Sequence, residues 1–202
     1  MRFVFAIAVL GLGVLARPAF ALPTLSLDGS YASERERETH LLARGYNAGL
    51  AFGFASYFSL GGHFSRLETE AYDDPATSTR GRLRYDTISG DLGFGFSISD
   101  NTDLSGSGGY VKSTTTGLEG FSDRPEDSIK GPTGSLTLTT RLAPHFEFFM
   151  GPAYSYLGHK RGWDGSAGLG LEIAHGLWLQ GSYWGGQTRD GWTAGLSMNF
   201  SD

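Results

Sequence analysis

The most regular pattern in the chain is the alternation of apolar and polar residues near its C-terminus. Over residues 191–200, small uncharged residues occupy one face, and the other face carries Trp192, Ala194, Leu196, Met198 and Phe200. Side chains of a β-strand alternate between two faces with this period of two. The length also matches the roughly 9–11 residues with which a tilted strand crosses the hydrocarbon core of a bilayer. The stretch therefore predicts an amphipathic membrane-spanning strand.

The same alternation recurs along the rest of the chain. In nearly every segment, large apolar residues fill one face while Gly and Ser dominate the other. The alternation predicts ten strands, and eight is the rival count if one hairpin is merged or lost. Before the C-terminal strand, the predicted strands cover residues 25–31, 46–54, 58–65, 82–98, 102–113, 135–142, 146–156, 166–174 and 177–184.

The connections between these strands alternate in length. We predict long, charged or polar connections over residues 33–45, 73–81, 117–131 and 158–165, with short turns between them. This rhythm is typical of transmembrane barrels, in which short periplasmic turns alternate with longer external loops. A soluble sandwich also alternates, but two apolar faces then meet in its core. A single apolar face opposite Gly and Ser favours an all-β fold, a closed antiparallel up-and-down transmembrane β-barrel.

Composition agrees with a barrel and excludes several other classes. The chain contains 31 Gly and 13% aromatic residues, as expected for a lipid-facing aromatic girdle around a narrow interior. Its mean hydropathy of −0.19 argues against a helical membrane protein. A net charge of −5 makes nucleic acid a poor partner, and the absence of Cys excludes thiolate chemistry.

The first 21 residues have the features of an export signal. Arg2 precedes an apolar run over residues 3–16, and the small residues Ala19 and Ala21 flank Phe20 before the predicted cleavage point. We predict a cleaved Sec signal over residues 1–21 and a single barrel domain, monomeric, over residues 22–202.

The C-terminal strand resembles that of bacterial outer-membrane β-barrels, which usually close on an amphipathic strand ending in Phe. Here Phe200 is followed by Ser201 and Asp202, which departs from that pattern. The chain as a whole resembles the small Gram-negative barrels of the OmpA-like or porin-like class. The resemblance implies a bacterial outer-membrane location, contact with outer-membrane lipid and lipopolysaccharide, and recognition by the barrel-assembly machinery. The residues expected to carry this recognition are Trp192, Leu196, Met198 and Phe200.

If the apolar faces look outward, the opposite faces line a lumen. The parity of the strands predicts the lumen-lining set Asp91, Asp103, Arg141, Glu147, Glu172, Trp178, Gln180 and Trp184. Beyond Ser65 the parity flips, which indicates either a β-bulge or a strand that has left the membrane. With a bulge, Arg66, Glu68, Arg84 and Asp86 also face the lumen. A plug of ion pairs is favoured over a narrow pore, because barrels near eight strands are filled by side chains.

One short motif suggests chemistry. The sequence His63-Phe64-Ser65 resembles the His-x-Ser element of outer-membrane lipid A deacylases, with Glu68 or Glu70 as the orienting acid. Its inward parity points away from lipid, so a polar lumen pair is the favoured interpretation and no catalytic role is predicted. No metal spacing or cofactor motif is present.

We therefore expect a non-enzymatic barrel with a structural or surface-interaction role, which includes slow passage of small solutes through a narrow pore. The alternatives are a lipid-modifying hydrolase using His63 and Ser65, and an adhesin acting through the loop over residues 117–131. A further candidate contact with lipopolysaccharide phosphates is the predicted outer loop that contains Lys160, Arg161 and Trp163.

Overall fold

The computed structural model describes residues 24–55, 57–74, 79–121, 126–158, 160–187 and 189–200. The predicted signal segment, Ser201 and Asp202 lie outside these ranges. The strands are β1 (Thr24–Glu36), β2 (Leu42–Ala55), β3 (Phe58–Thr69), β4 (Tyr72–Asp74), β5 (Thr79–Gly81), β6 (Leu83–Ser99), β7 (Thr102–Gly117), β8 (Asp127–Ala143), β9 (Phe146–Leu157), β10 (Lys160–Ala174), β11 (Leu177–Gly186) and β12 (Arg189–Phe200). No helix within these ranges is long and apolar enough to cross a membrane.

Ten of these strands form one closed antiparallel barrel, in the order β1-β12-β11-β10-β9-β8-β7-β6-β3-β2. The barrel closes where β1 pairs with β12, from Leu25 opposite Phe200 to Glu36 opposite Arg189. The remaining strands, β4 and β5, form a separate small hairpin in the connection between β3 and β6. The predicted fold class and the count of ten strands are confirmed.

The outer surface carries an apolar band with an aromatic border. Towards the end of the barrel that bears the longer loops, here the loop end, the outward face presents Tyr31, Tyr46, Tyr110, Tyr183 and Trp192, each at least 45% exposed. Two or four residues further, the outward positions on β1, β2, β7 and β12 become Arg35, Arg44, Lys112 and Asp190. Aromatic side chains mark the interfaces of transmembrane barrels. This border therefore marks the outer edge of the membrane-spanning band.

Beyond the border, the polarity of the two faces is exchanged. Strand β3 keeps an unbroken register with β2 on one side and β6 on the other from Gly53 opposite Ser59 onwards, so Ser65 carries no bulge. The inward residues there are apolar, and Leu67, Leu83 and Tyr85 are each 1% exposed. The alternative in which the strand has left the membrane is therefore correct.

The prediction that Arg66, Glu68, Arg84 and Asp86 line the lumen is wrong. They lie on the outward face beyond the aromatic border, where Asp86 contacts Arg66 at 2.6 Å and Arg84 at 3.2 Å. Water rather than lipid surrounds the barrel at this height, so charge is favoured outside and apolar residues inside. The inversion is a consequence of the solvent and not of the backbone.

Several predicted loops are shorter than expected because the strands continue beyond the membrane. Strand β10 begins at Lys160, so the predicted loop over residues 158–165 is wrong and Trp163 lies on a strand. The connections at the loop end are residues 37–41, 70–82, 118–126, 158–159 and 187–188. The predicted alternation of long and short connections holds only for the first three of them.

The position of Leu196 at the middle of β12 generates a stability prediction. Leu196→Arg should lower the free energy of unfolding by roughly 2–4 kcal/mol, because it places a cation in the hydrocarbon region. As a control, Thr114→Arg puts the same group on the outward face beyond the border, opposite Asp86. It should cost only about 0–1 kcal/mol. Urea unfolding in lipid vesicles measures both, and equal costs would contradict the assigned membrane boundary.

Candidate functional site

The interior of the barrel is the candidate functional site, because it is where the polar and charged side chains of the spanning strands converge. From the loop end to the short-turn end, three layers follow one another: an apolar cap with an ion pair beside it, a polar centre, and a mixed layer at the mouth. The contacts of each layer decide whether the interior can conduct, bind or catalyse.

A cluster of buried apolar residues, here called the apolar cap, lies at the loop end. It consists of Ala32, Ala43, Leu67, Leu83, Tyr85 and Phe121. Phe121 comes from the connection after β7, and its ring lies 5.4 Å from that of Tyr72 in β4. Both loops therefore fold over the lumen and contribute to the cap. A second, smaller cluster of Val111 and Leu157, with Ile129 packed against it, covers the side of β7, β8 and β9.

A buried ion pair lies between β1 and β12 beyond the aromatic border. Arg189 Nη1 donates to Glu34 Oε2 at 3.3 Å, and both side chains are about one-tenth exposed. The Arg189 guanidinium also lies over the Trp184 ring, 5.1 Å from its centroid. Burial raises the pKa of Glu34, Arg189 lowers it and Asp164 raises it further. Burial likewise raises the pKa of Asp164, which Arg189 counteracts.

Aromatic rings inside the barrel occupy the space left by glycines on neighbouring strands. A Cβ at Gly191 would lie 2.7 Å from the Trp184 ring, and a Cβ at Gly168 would collide with the Phe149 ring. Neither position has room for a side chain, so these glycines let each ring lie over the neighbouring strand on the inside of the barrel. Trp184 and Phe149 are 7% and 2% exposed.

The polar centre is organised around His63. Its Nε2 lies 3.4 Å from Asp91 Oδ1. A Cβ at Gly49 would collide with Asp28 Oδ1 and lie 2.6 Å from His63 Nδ1, so the second ring nitrogen and the Asp28 carboxylate converge on one point. His63 therefore stands between two carboxylates that can share its protons. Gly49 supplies the space for that arrangement.

A small cavity adjoins this histidine. It measures about 40 Å³ and is lined by residues that include Asp28, Asn47, His63, Gln180 and Thr193. That volume accommodates about three water molecules in a site with ample polar partners. Phe149 bounds the cavity on one side.

The mouth at the short-turn end combines buried and exposed groups. Trp178 and Glu147 are 3% and 7% exposed, and Arg141 lies opposite Glu147 in register but is itself exposed. Glu172 contacts His145 Nδ1 at 3.1 Å and accepts a hydrogen bond from Gly176 N. Asp103 accepts a hydrogen bond from Ser97 at 2.6 Å.

Comparison with known proteins agrees with this architecture. The family described as "Outer membrane protein beta-barrel domain" matches residues 6–201. The chain belongs to this outer-membrane β-barrel family. No curated protein matches the sequence.

Solved structures similar to this family member are also membrane barrels. The translocator domain of autotransporter NalP from Neisseria meningitidis is 9% identical with a TM-score of 0.50, covering 89% of this chain and 88% of its own. Ail from Yersinia pestis in complex with the heparin analogue sucrose octasulfate is 15% identical with a TM-score of 0.45, covering 88% and 97%. The N-terminal barrel domain of OprF from Pseudomonas aeruginosa is 15% identical with a TM-score of 0.41, covering 87% and 97%. At these identities the likeness concerns the fold.

The residues predicted to line the lumen of this outer-membrane barrel all fall on inward positions: Asp91, Asp103, Arg141, Glu147, Glu172, Trp178, Gln180 and Trp184. The C-terminal residues Trp192, Leu196, Met198 and Phe200 face outward, each at least 40% exposed. The apolar cap and the Glu34–Arg189 pair were missed. In the sequence, the change of parity after Ser65 was the sign of the apolar cap. The sign of the ion pair was that Glu34 falls on an inward position once β1 is extended.

The outer-membrane barrel does not assemble the suggested catalytic triad. His63 and Ser65 both point inward, and His63 is engaged by Asp91. Ser65 is 1% exposed, and Glu68 lies on the opposite, outward face of β3, where it cannot orient His63. Within the described ranges, no group of three or more potential ligands is arranged to hold a metal ion.

The buried ion pair generates a second stability prediction. Arg189→Met should lower the free energy of unfolding by about 3–5 kcal/mol, because it leaves Glu34 buried without its cation. The double variant with Glu34→Gln should recover part of that loss. Urea unfolding in lipid vesicles measures both variants.

A matched control uses an exposed pair on the same side of the barrel. Arg37 contacts Asp190 at 3.3 Å, and the Arg37 side chain is 51% exposed. Arg37→Met should therefore cost only about 0–1 kcal/mol. If Arg189→Met proves no more destabilising than Arg37→Met, the pair does not hold the outer layer together.

Proposed function

We propose that this outer-membrane barrel is closed and serves a structural and surface-interaction role in the bacterial outer membrane, rather than conducting solutes. The observation that carries the proposal is the apolar cap, in which Leu67, Leu83 and Tyr85 are each 1% exposed. A buried apolar layer in this part of the lumen opposes the passage of ions, because ions cannot shed their water into it without large cost.

The layers below the cap support the same proposal. The rings of Trp184, Phe149 and Trp178 lie inside the barrel at successive heights, and each is less than one-tenth exposed. Small barrels of about eight strands are filled by their side chains, and ten strands lie near that limit. Filling of this kind stabilises the barrel from within.

A narrow pore for small solutes is the second candidate, and the cavity beside His63 is the observation in its favour. Its polar lining could pass water or protons if the cap and the aromatic rings moved together. The surface role itself rests on the loop end, where a partner would meet the exposed side chains of Asp73, Thr79, Arg80 and Glu119. The alternative of a lipid-modifying hydrolase lacks a supporting observation, because Glu68 lies on the outward face of β3 and His63 on the inward face.

Single-channel recording in a planar bilayer tests the proposal. The refolded protein over residues 22–202 should give no discrete current steps. As the folding control, the unboiled protein should migrate differently in detergent gels from the boiled protein. Discrete steps from folded protein would contradict a closed lumen.

A pair of double variants sharpens the experiment. Tyr85→Ala with Phe149→Ala removes two of the lumen rings and should introduce current steps or raise the leak. Tyr46→Ala with Phe52→Ala removes two rings from the lipid-facing surface, at 50% and 46% exposure, and should remain silent. If neither double variant conducts although both migrate as folded barrels, the remaining layers suffice to seal the lumen.

A further inference from the structure

Two lysines face each other on the outer surface of the barrel. Lys112 in β7 and Lys130 in β8 are direct partners in the strand register, and both side chains are exposed on the outward face. Direct cross-strand neighbours have Cβ atoms about 4.5–5.5 Å apart, and like charges at such positions are destabilising. The arrangement is therefore unfavourable unless an anion is shared between them.

Four other outward cations near the aromatic border have acidic neighbours. Arg44 contacts Glu70 at 3.4 Å, Arg66 and Arg84 contact Asp86, and Arg35 faces Asp190 in register. Among the residues that the structure describes, no ion pair involves Lys112 or Lys130. Asp86, two residues along β6 from the position opposite Lys112, is already shared by two arginines. Within the described part of the chain, no acidic side chain thus neutralises the positive charge of the lysine pair.

The surroundings of the pair suit a lipid. Tyr110 lies two residues below Lys112 on the same face and is 53% exposed, which places the pair just outside the apolar band. On the neighbouring β9, Tyr156 is 41% exposed, and Arg161 of β10 lies opposite it in register. An amphiphile with its acyl chains against the tyrosines would bring its headgroup to the height of the lysines.

We propose that Lys112 and Lys130 together bind a phosphate group of an outer-leaflet lipid headgroup, of the kind carried by the lipid A part of lipopolysaccharide. A phosphate between the two ammonium groups accepts charge-assisted hydrogen bonds from both and converts their repulsion into attraction. Arg161 provides a second contact on the β10 side. This inference requires that the barrel is embedded in the membrane, but it does not require a closed lumen. The lipid-binding prediction and the conductance prediction can therefore fail independently of each other.

Binding of defined lipids to the refolded protein in detergent micelles tests this site. Rough lipopolysaccharide carrying its lipid A phosphates should bind the native chain, and Lys112→Gln with Lys130→Gln should weaken binding by about tenfold or more. The matched control, Arg35→Gln with Arg44→Gln, removes the same charge from the other side of the rim. It should change the affinity by less than about threefold. Equal weakening by the two pairs would overturn the proposal in favour of general attraction to the rim.

Two further ligands identify the source of the phosphate. Enzymatically dephosphorylated lipopolysaccharide should bind the native chain and the lysine variant alike. Inorganic phosphate should not compete at concentrations equal to those of the lipid, because it lacks the acyl chains that contact Tyr110 and Tyr156. Full competition by inorganic phosphate would overturn the assignment to a lipid headgroup.

Thermal stability is an independent test, because the lysine variant should be more stable than the native chain without lipid and less stable with it. In phosphate-free detergent, Lys112→Gln alone should raise the unfolding temperature by about 1–2 °C, because it removes the repulsion from Lys130. With phosphorylated lipopolysaccharide present, the same variant should unfold below the native chain. A variant that is less stable than the native chain in both conditions would contradict the shared phosphate.

Discussion

Closure of the sheet between β1 and β12 is the interaction on which the rest of the structure depends. In lipid, each unpaired backbone N–H or C=O costs several kcal/mol, so a membrane-spanning sheet must have no free edge. The register from Leu25 opposite Phe200 to Glu36 opposite Arg189 satisfies both edges along their whole length. Once the ring is closed, the period of two divides every strand into one inward and one outward face.

What occupies those faces is decided by the surroundings at each height. Within the apolar band lipid lies outside, so Leu196 and Phe52 face outward and His63 and Asp91 are sequestered within. Beyond the aromatic border water lies outside, and the same strands bury Leu67 and place Arg66 at the surface. The barrel thus has a polar centre beneath an apolar cap. That order of layers is the basis for the proposal that a lumen containing charges is sealed towards the loops.

The sequence was a good guide to strand parity and a poor guide to where each strand ends. Alternation along residues 191–200 identified the faces of β12 correctly, because lipid contact selects large apolar residues at every second position. The same rule was ambiguous beyond Ser65, where a bulge would have placed Arg66 in the lumen although the strand had simply passed from lipid into water. The contacts at His63 depend on the registers of β1, β2, β3 and β6, and on the lack of a side chain at Gly49. Spacing along one strand does not encode pairings of that kind.

Accessibility of single cysteines in the folded barrel is the measurement that tests the sealed lumen most directly. The chain contains no Cys, so Ser113→Cys and Thr114→Cys place one thiol each on adjacent residues of β7. Ser113 points inward, is 1% exposed and accepts a hydrogen bond from Thr87 at 3.0 Å, whereas Thr114 points outward beyond the membrane. A charged, membrane-impermeant thiol reagent should modify Thr114→Cys to completion while Ser113→Cys stays unmodified. Modification of both at similar rates would show that water and ions reach the interior, and would contradict the closed barrel.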